Sequence, residues 1–575
     1  MRLAIVQQDK CHPGKCGNLC ARLCPVNRKG EECIKINGKA AISEAMCIGC
    51  NICANRCPFK AISIINLPEE LKSKLFHRYG ENGFALYSIP LPRFSHVLGI
   101  LGKNGIGKST SLKILSGKLK PNLGREAYSE KGLHDFLRGS ELLNYFKSLP
   151  QKKVSIKPQN LFELSKHNLK VKDLLKIKKE ILSIISDLAL ENLLEKSLSE
   201  LSGGELQKAA IAVAASKESD IYFFDEPLAY LDIGERIRVS NFIRSLIKSN
   251  KAVIVIEHDL LMLDYIADFV NIMYGKPSCY GIISKIRASK AAINSYLSGF
   301  LKEENIRFRD KPIKFNAGAG TRKKITSKQL FEWPSFTKTY KGFSLTASEG
   351  NIPQKSIVGI AGKNATGKST FIKCLSGIIE TDQKDIGLKL KVSYKPQYLE
   401  SESKELVSAI IKKEKISSRL VSLLSLDQLL FRQINQLSGG ELQKVALALC
   451  LAKDADVYLI DEPSAHLDVE ERLQAAKAIE ETVREKEKSA FVVDHDFLFL
   501  SYLSDLIMVF SGVPSKQGNQ GNSSKPFQLE EGMNALLRQL NITVRRDPET
   551  GRPRINKPDS VLDREQKTKN KWFIA

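Results

Sequence analysis

No apolar run in this 575-residue chain approaches the roughly 18 residues that a membrane-spanning helix needs. The opening segment, Met1-Arg-Leu-Ala-Ile-Val-Gln-Gln-Asp9, has too short an apolar stretch for a secretory signal. These absences exclude a membrane protein and point to the cytoplasm, with the nucleus as a second compartment. Cysteine is scarce beyond residue 57, where three of twelve remain, and a disulfide framework conflicts with the missing signal. Acidic residues are outnumbered, 64 against 88 Lys and Arg, for a formal net charge of +24. A soluble chain this basic meets a polyanion such as nucleic acid, a ribosome or an anionic membrane; a merely solvated basic surface is the plainer alternative. The length allows three to five domains.

An octapeptide occurs twice. Leu201–Lys208 and Leu437–Lys444 both read LSGGELQK. The paired glycines after Ser202 and Ser438, Gly203-Gly204 and Gly439-Gly440, expose successive backbone N–H groups ahead of a helix expected from Glu205 onward, a phosphate-binding arrangement. The repeat extends upstream. Gly102-Lys-Asn104-Gly105-Ile-Gly107-Lys108-Ser109-Thr110 and Gly362-Lys-Asn364-Ala-Thr-Gly367-Lys368-Ser369-Thr370 both fit the P-loop. In that loop the amides cradle phosphates, the lysine reaches the β- and γ-phosphates, and the serine hydroxyl suits Mg²⁺. Each loop follows a strand-like apolar run and precedes a helix-like one. Downstream, Ile221-Tyr-Phe-Phe-Asp225-Glu226 and Val457-Tyr-Leu-Ile-Asp461-Glu462 are buried-strand runs ending in two carboxylates, each Asp 23 positions after the octapeptide serine. The first carboxylate suits Mg²⁺ and the second a water to be oriented or deprotonated. A third strand in each half ends in a histidine, His258 and His495.

Nine cysteines fall within the first 57 residues. Cys47-x2-Cys50-x2-Cys53-x3-Cys57-Pro is the bacterial ferredoxin run, and Cys11-x4-Cys16-x3-Cys20-x3-Cys24-Pro precedes it. In such runs the cysteine before proline serves the other cluster. The expectation is one 4Fe–4S cluster on Cys47, Cys50, Cys53 and Cys24, and a second on Cys11, Cys16, Cys20 and Cys57. Cys33 is left over as a core thiol. Zinc sites, which favour paired C-x2-C knuckles, are the competing reading.

The half-repeats differ in one spacing. From P-loop lysine to Gln159 is 51 positions, and to Gln397 is 29. The first half therefore carries about 22 extra residues. Within 125–153, His134-Asp-Phe-Leu-Arg-Gly-Ser-Glu-Leu-Leu-Asn-Tyr-Phe reads as two helices broken at Gly139-Ser140, made basic by Arg138, Lys147, Lys152 and Lys153. Each half ends in an Arg-rich segment, Arg307 and Arg309 in one, Arg545 and Arg546 in the other. Arg552 and Arg554 extend the second. Such arginines pair with carboxylates across a seam or with phosphates. The polar, Gly-rich stretch 516–525 reads as a loop.

P-loop, LSGGE, strand-Asp-Glu-Pro and strand-His in that order, twice, resemble the ATP-binding cassette (ABC) nucleotide-binding domain. Gln159 and Gln397 then fall at its Q-loop, and the resemblance adds both glutamines to the Mg²⁺ set of Ser109, Asp225, Ser369 and Asp461. Tyr79 and Phe84 fall where that family places an aromatic against adenine, with Tyr340 and Phe343 as counterparts. The whole chain, a two-cluster ferredoxin fused to two such cassettes, resembles the ABC subfamily E ATPases, ribosome-recycling factors also called RNase L inhibitors. The implied fold is α/β: two ABC-type P-loop domains in tandem behind an N-terminal ferredoxin-like α+β iron–sulfur domain. The boundaries expected are 1–70 for the iron–sulfur domain, 71–300 for the first cassette, 301–325 for hinge 1, 326–530 for the second cassette and 531–575 for hinge 2.

The resemblance implies an ATP hydrolase, a monomer whose cassettes face head to tail. Each ATP would lie between one P-loop and the opposite LSGGE, with Glu226, Glu462, His258 and His495 as catalytic residues. Its implied partners are the ribosomal small subunit with its rRNA, a class-1 release factor or Pelota, and translation initiation factors, with no membrane. Two other classes compete: a redox protein coupling ATP to electron transfer, and a scaffold that binds RNA or a nuclease by charge. Ala365, Leu228, His466 and Asp494 depart from the usual family pattern.

Overall fold

Runs such as Val97–Gly102 and Ala252–Ile256 have no polar face, so they fold only as strands covered on both sides. The computed structural model describes every residue except 1, 69–70, 72–73, 126–128, 160, 162–166, 176–180, 249, 316–328, 384–389, 397–401, 516–517 and 575. In the first cassette the parallel strands Val154–Lys157, Ile221–Asp225, Ala252–Ile256, Val97–Gly102 and Phe269–Lys276 lie side by side in that order. Tyr280–Ile283, Ala85–Tyr87 and Leu75–Arg78 extend the sheet beyond Phe269–Lys276. The second cassette repeats the order, from Val392–Lys395 through Val457–Asp461, Ser489–Val493, Ile357–Gly362 and Leu506–Ser515 to Gly518–Ser523, Phe343–Ala347 and Phe336–Tyr340. This topology gathers the P-loop, the Asp-Glu pair and the histidine at the carboxyl ends of adjacent strands, where open parallel sheets bind ligands.

The stretch 516–525 is not simply a loop. Gly518–Ser523 is a strand, parallel to Phe343–Ala347 and antiparallel to Leu506–Ser515. Its polar composition hid it, because it lies toward the sheet edge and takes its stability from ladder hydrogen bonds. The boundary expected at 530/531 also moves: helix Leu529–Leu540 runs through it, with Gly532 closely packed on Ile507 of the second cassette's sheet.

The N-terminal domain pairs Arg2–Val6 with Ile62–Asn66 and Ile34–Asn37 with Lys39–Ile42, both antiparallel. It is fastened to the first cassette by Asn82, whose side chain accepts from Ile42 N–H at 2.7 Å and donates to Ala4 and Ile42 carbonyls at 3.1 and 2.9 Å. Arg78 adds two bonds to Glu44, at 2.7 and 3.1 Å. Lys60 donates to the Asp427 carbonyl, and Phe59 meets Phe431 edge-on, so the same domain also touches the second cassette. No helix of the described residues is long and apolar enough to cross a membrane.

Candidate functional site

The two P-loops are built alike. Helices Lys108–Leu115 and Lys368–Leu375 begin directly after Gly107 and Gly367, whose φ values of 96° and 93° suit glycine alone. A Cβ at Gly107 would stand 2.7 Å from the Phe84 ring, and one at Gly367 2.9 Å from Phe343. Phe343 thus stands to Gly367 as Phe84 does to Gly107; Tyr340 stacks on Phe343 at 6.4 Å and is exposed. Tyr79 lies 3.4 Å from the Thr110 hydroxyl. Lys108 donates to the Gly102 and Lys103 carbonyls at 2.8 and 2.7 Å, and Lys368 to those of Gly362 and Lys363 at 3.0 and 2.6 Å. Burial pushes both ammonium groups down to about 8, against the pull of nearby carboxylates. Two of those carboxylates, Asp468 at Lys108 and Asp232 at Lys368, belong to the opposite cassette.

The Ser109 hydroxyl donates to Asp225 at 2.9 Å. Asp461, beside Ser369, is 1 % exposed and leaves both carboxylate oxygens without a hydrogen-bond partner among the described residues. A hydroxyl and a buried carboxylate at a phosphate loop are a donor set that fits Mg²⁺. Glu226 and Glu462 sit one residue further on, both with left-handed φ, 46° and 47°. Holding a non-glycine residue there costs of order 1 kcal/mol, and such strain is a feature of functional positions. His258 and His495 stand 3.5 Å from their glutamates. Burial opposes the Glu226 charge, but His258, Lys108 and Gln159 outweigh it and hold the carboxyl down to about 2. Burial likewise lowers His258 and, with Lys368 and Arg236, His495. Glu226 is therefore an ionised carboxylate facing an imidazole, and the same pairing of glutamate and histidine recurs at Glu462, an arrangement able to orient a water. Gln159 donates to Glu226 at 2.8 Å, which places it on that carboxylate. Gln397 lies outside the described residues.

Sequence reasoning missed the side chains that pin these glutamates. Lys157, 1 % exposed, donates to the Asp225 and Glu226 carbonyls at 2.9 and 3.2 Å. Lys395 donates to the Asp461 carbonyl at 2.8 Å. The octapeptide glutamines Gln207 and Gln443 bond the Glu226 and Glu462 carbonyls. Their repetition in K-P-Q and LSGGELQ was the available signal.

The octapeptide helices begin at Gly203 and Gly439, two residues earlier than expected. Ser202 and Ser438 cap their own helices in reciprocal boxes with Glu205 and Glu441. Across the seam, a Cβ on Gly204 would meet the Asn364 side chain at 3.6 Å. Asn364 N–H donates to Asp232 at 2.8 Å and its side chain to the Tyr230 carbonyl at 3.2 Å. In mirror fashion Asn104 N–H reaches Asp468 at 3.2 Å and its side chain the His466 carbonyl at 3.3 Å. The Tyr230 hydroxyl and His466 Nε2 meet at 3.3 Å between the halves. The departures sort into pairs: Ser464 gives Asp494 two bonds, 3.0 Å from its N–H and 2.7 Å from its hydroxyl, whereas Leu228 offers Glu257 one N–H at 3.4 Å.

Among the hinge arginines, Arg309 crosses the seam, donating to Glu470 at 2.6 Å while Lys103 of the first P-loop holds the other oxygen at 2.6 Å. Arg307, Arg545 and Arg546 form no ion pair among the described residues; Arg307 lies over Phe300, and Arg546 donates to the Gly551 carbonyl. The C-terminal segment is instead docked through Arg552 and Arg554, both bonded to Asp264 of the first cassette, at 3.1 and 2.6 Å. The insert forms helices Glu130–Phe136 and Glu141–Ser148, with Gly139 at φ 80° between them. Buried Tyr145 ties it to the Leu115 carbonyl, leaving Arg138 and Lys147 exposed.

In the N-terminal domain Cys20 lies near Cys11, Cys16 and Cys57, while Cys33 lies near Cys24, Cys47 and Cys53, and Cys53 near Cys47 and Cys50. Cys24 and Cys57 are extended, at ψ 123° and 112°, because the following proline disfavours helix; each leaves its helix. Backbone N–H groups of Ala40 and Ala61 donate to the Cys11 and Cys57 sulfurs, at 3.5 and 3.4 Å. Among the described residues no three such side chains gather closely enough for one metal ion. Closely set cysteine sulfurs with N–H···S donors fit iron–sulfur ligation.

Comparison with known proteins follows this geometry. A family profile described as "ABC transporter" matches residues 93–229 and 345–465. "Possible Fer4-like domain in RNase L inhibitor, RLI" matches 1–32, and "4Fe-4S binding domain" matches 40–63. The chain is 43% identical to ABC transporter E family member 1 of Arabidopsis thaliana, covering 100% of this chain and 98% of that one. The chain belongs to the ABC transporter E family. Family relatives include translation initiation factor RLI1 of Saccharomyces cerevisiae, 42% identical over the same shares of both chains. An uncharacterised ABC transporter ATP-binding protein of Methanocaldococcus jannaschii is 47% identical, again covering 100% and 98%. The archaeal ABCE1 of a ribosome-bound Pelota–ABCE1 structure superposes with a TM-score of 0.95 at 44% identity, covering 100% of this chain and 99% of that one. As an E-family member the chain is an ABC-type ATP hydrolase with an iron–sulfur domain.

Proposed function

We propose that the chain splits ribosomes into subunits in an ATP-driven step with a class-1 release factor or Pelota, and remains on the small subunit towards initiation. The observation that carries this reading is the reciprocal seam, in which Asp232 and Asp468 each reach the opposite P-loop. One site combines Lys108, Ser109, Gln159, Asp225, Glu226 and His258 with Ser438 and Gly440. The other would combine Lys368, Ser369, Asp461, Glu462 and His495 with Ser202 and Gly204, and Gln397 is the glutamine expected there from its sequence position. A ligand bound between halves favours the joined state, and a swing from mostly open to mostly joined needs roughly 5 kcal/mol of such preference. Glu226 and Glu462 would orient the attacking water and take its proton, returning the halves to the open state. Ser109 with Asp225, and Ser369 with Asp461, would hold Mg²⁺, whose charge would offset that of the β- and γ-phosphates.

Cys11, Cys16, Cys20 and Cys57, and Cys24, Cys47, Cys50 and Cys53, would hold two 4Fe–4S clusters that brace the domain beside its small apolar core. The relatives named above support the partners: RLI1 is called a translation initiation factor, and the archaeal ABCE1 belongs to a structure with Pelota on the ribosome. The exposed basic insert, Arg138 and Lys147, suits rRNA contact, and the cytoplasm is the corresponding compartment. The test is sedimentation of intact ribosomes with the protein, ATP and a release factor. Subunits are expected only with ATP, and Glu226→Gln with Glu462→Gln should leave the protein bound to the small subunit. Ribosomes that stay joined would refute the reading.

A further inference from the structure

The N-terminal domain sends one turn into the first nucleotide site. A cavity of about 570 Å³ is lined by Lys108 and Ser109 of the P-loop, by Tyr79 and Phe84, and on a further side by Gln7–Lys10. That volume is within the range of small-molecule sites. The turn follows the buried strand Arg2–Val6 and is pinned at its base. Gln7 N–H donates to the Ala61 carbonyl at 2.8 Å, and the Gln7 carbonyl accepts from Lys10 and Cys11 N–H, each at 3.1 Å. The side chains are left over. Among the described residues the Gln7 and Gln8 amides form no hydrogen bond and the Lys10 ammonium no ion pair.

Lys10 is half-buried there beside Arg432 of the second cassette, which lines the same cavity and is matched by Glu441 at 2.8 Å. Asp9 of the same turn and Glu441 also line the cavity, and both face Arg432, at 3.8 and 2.8 Å, rather than forming an ion pair with Lys10. Such a cation in a cavity that a phosphate loop opens is placed for an anionic ligand. Free amides, each with donor and acceptor, beside an aromatic ring suit the edge of a purine. Among the described residues the second site has no such wall: the N-terminal domain meets the second cassette at Asp427, Phe431 and Arg432.

We propose that the turn Gln7–Lys10 belongs to the first nucleotide site, with Lys10 pairing with nucleotide oxygens and Gln7 and Gln8 reading the base, so that the two sites differ in base selectivity. This rests on the two-site reading above. The test uses full-length, cluster-loaded protein, with Lys368→Ala reporting the first site and Lys108→Ala the second. Methylanthraniloyl-ATP and methylanthraniloyl-GTP are titrated into each. The first site is expected to prefer ATP over GTP about tenfold more strongly than the second, the scale of one hydrogen bond. Gln7→Leu with Gln8→Leu should remove that excess, and Lys10→Ala should weaken both nucleotides about tenfold at the first site only. Lys10→Gln carries the same test should Lys10→Ala lose iron. Equal losses in both backgrounds, or unchanged first-site affinity and selectivity at full iron content, would overturn the proposal. Binding indifferent to both P-loop substitutions would instead overturn the two-site reading.

Discussion

Replacing Asp232 with alanine removes two bonds made by the two oxygens of one buried carboxylate. One oxygen accepts from Glu235 N–H at 3.0 Å and caps helix Ile233–Ser245; the other accepts from Asn364 N–H at 2.8 Å across the seam. Loss of the cap costs about 1 kcal/mol whether or not the halves are joined. In a domain of roughly 200 residues that lowers Tm by about 2–4 °C. The seam bond has a charged acceptor and is worth about 1.5–3 kcal/mol, in the joined state only. Joining should therefore weaken roughly 10- to 150-fold. The assay is ATP retained after rapid filtration, in a Glu462→Gln background, with calorimetry alongside. Asp232→Asn separates the two effects, because asparagine caps as well as aspartate but lacks the charge; Tm should hold while retention falls partway. If Asp232→Ala lowers Tm yet retains ATP like its parent, the seam bond does not drive joining.

Three further expectations follow from particular groups. Burial, Asp259 and Glu226 raise Glu257 from 4.5 to about 7, so the folded state binds its proton more tightly than the unfolded. Stability is lost as pH climbs through that window, by about 3 kcal/mol in full; Glu257→Gln should raise Tm more at pH ~8 than at pH ~6, and equal gains would refute the reasoning. Ala365 sits at φ 58°, where a Cβ costs about 1 kcal/mol. Ala365→Gly should therefore give the second cassette a small rise in Tm by calorimetry, and a fall would contradict the strain. Cys57→Ser should lose about half of the bound iron and its visible absorbance, whereas Cys33→Ser should keep both.

The chemistry was legible in the chain because backbone-built sites need fixed residue types at fixed spacings. A phosphate loop demands glycines and a lysine, a cluster demands closely spaced thiols, and a carboxylate at a strand end follows an apolar run. What the sequence determined by itself was therefore the two P-loops, the two Asp-Glu pairs, the histidines and a cysteine-rich, ferredoxin-like N-terminal domain. Tertiary structure alone decided which side chains meet across long separations. Asp232 finds Asn364, Glu470 is shared by Lys103 and Arg309, and Arg552 with Arg554, rather than Arg545 with Arg546, docks on Asp264. Charge pairs between distant segments leave no periodicity, since any acidic residue at the right place in space serves. The strand Gly518–Ser523 was hidden for a related reason: its partners, not its own side chains, hold it.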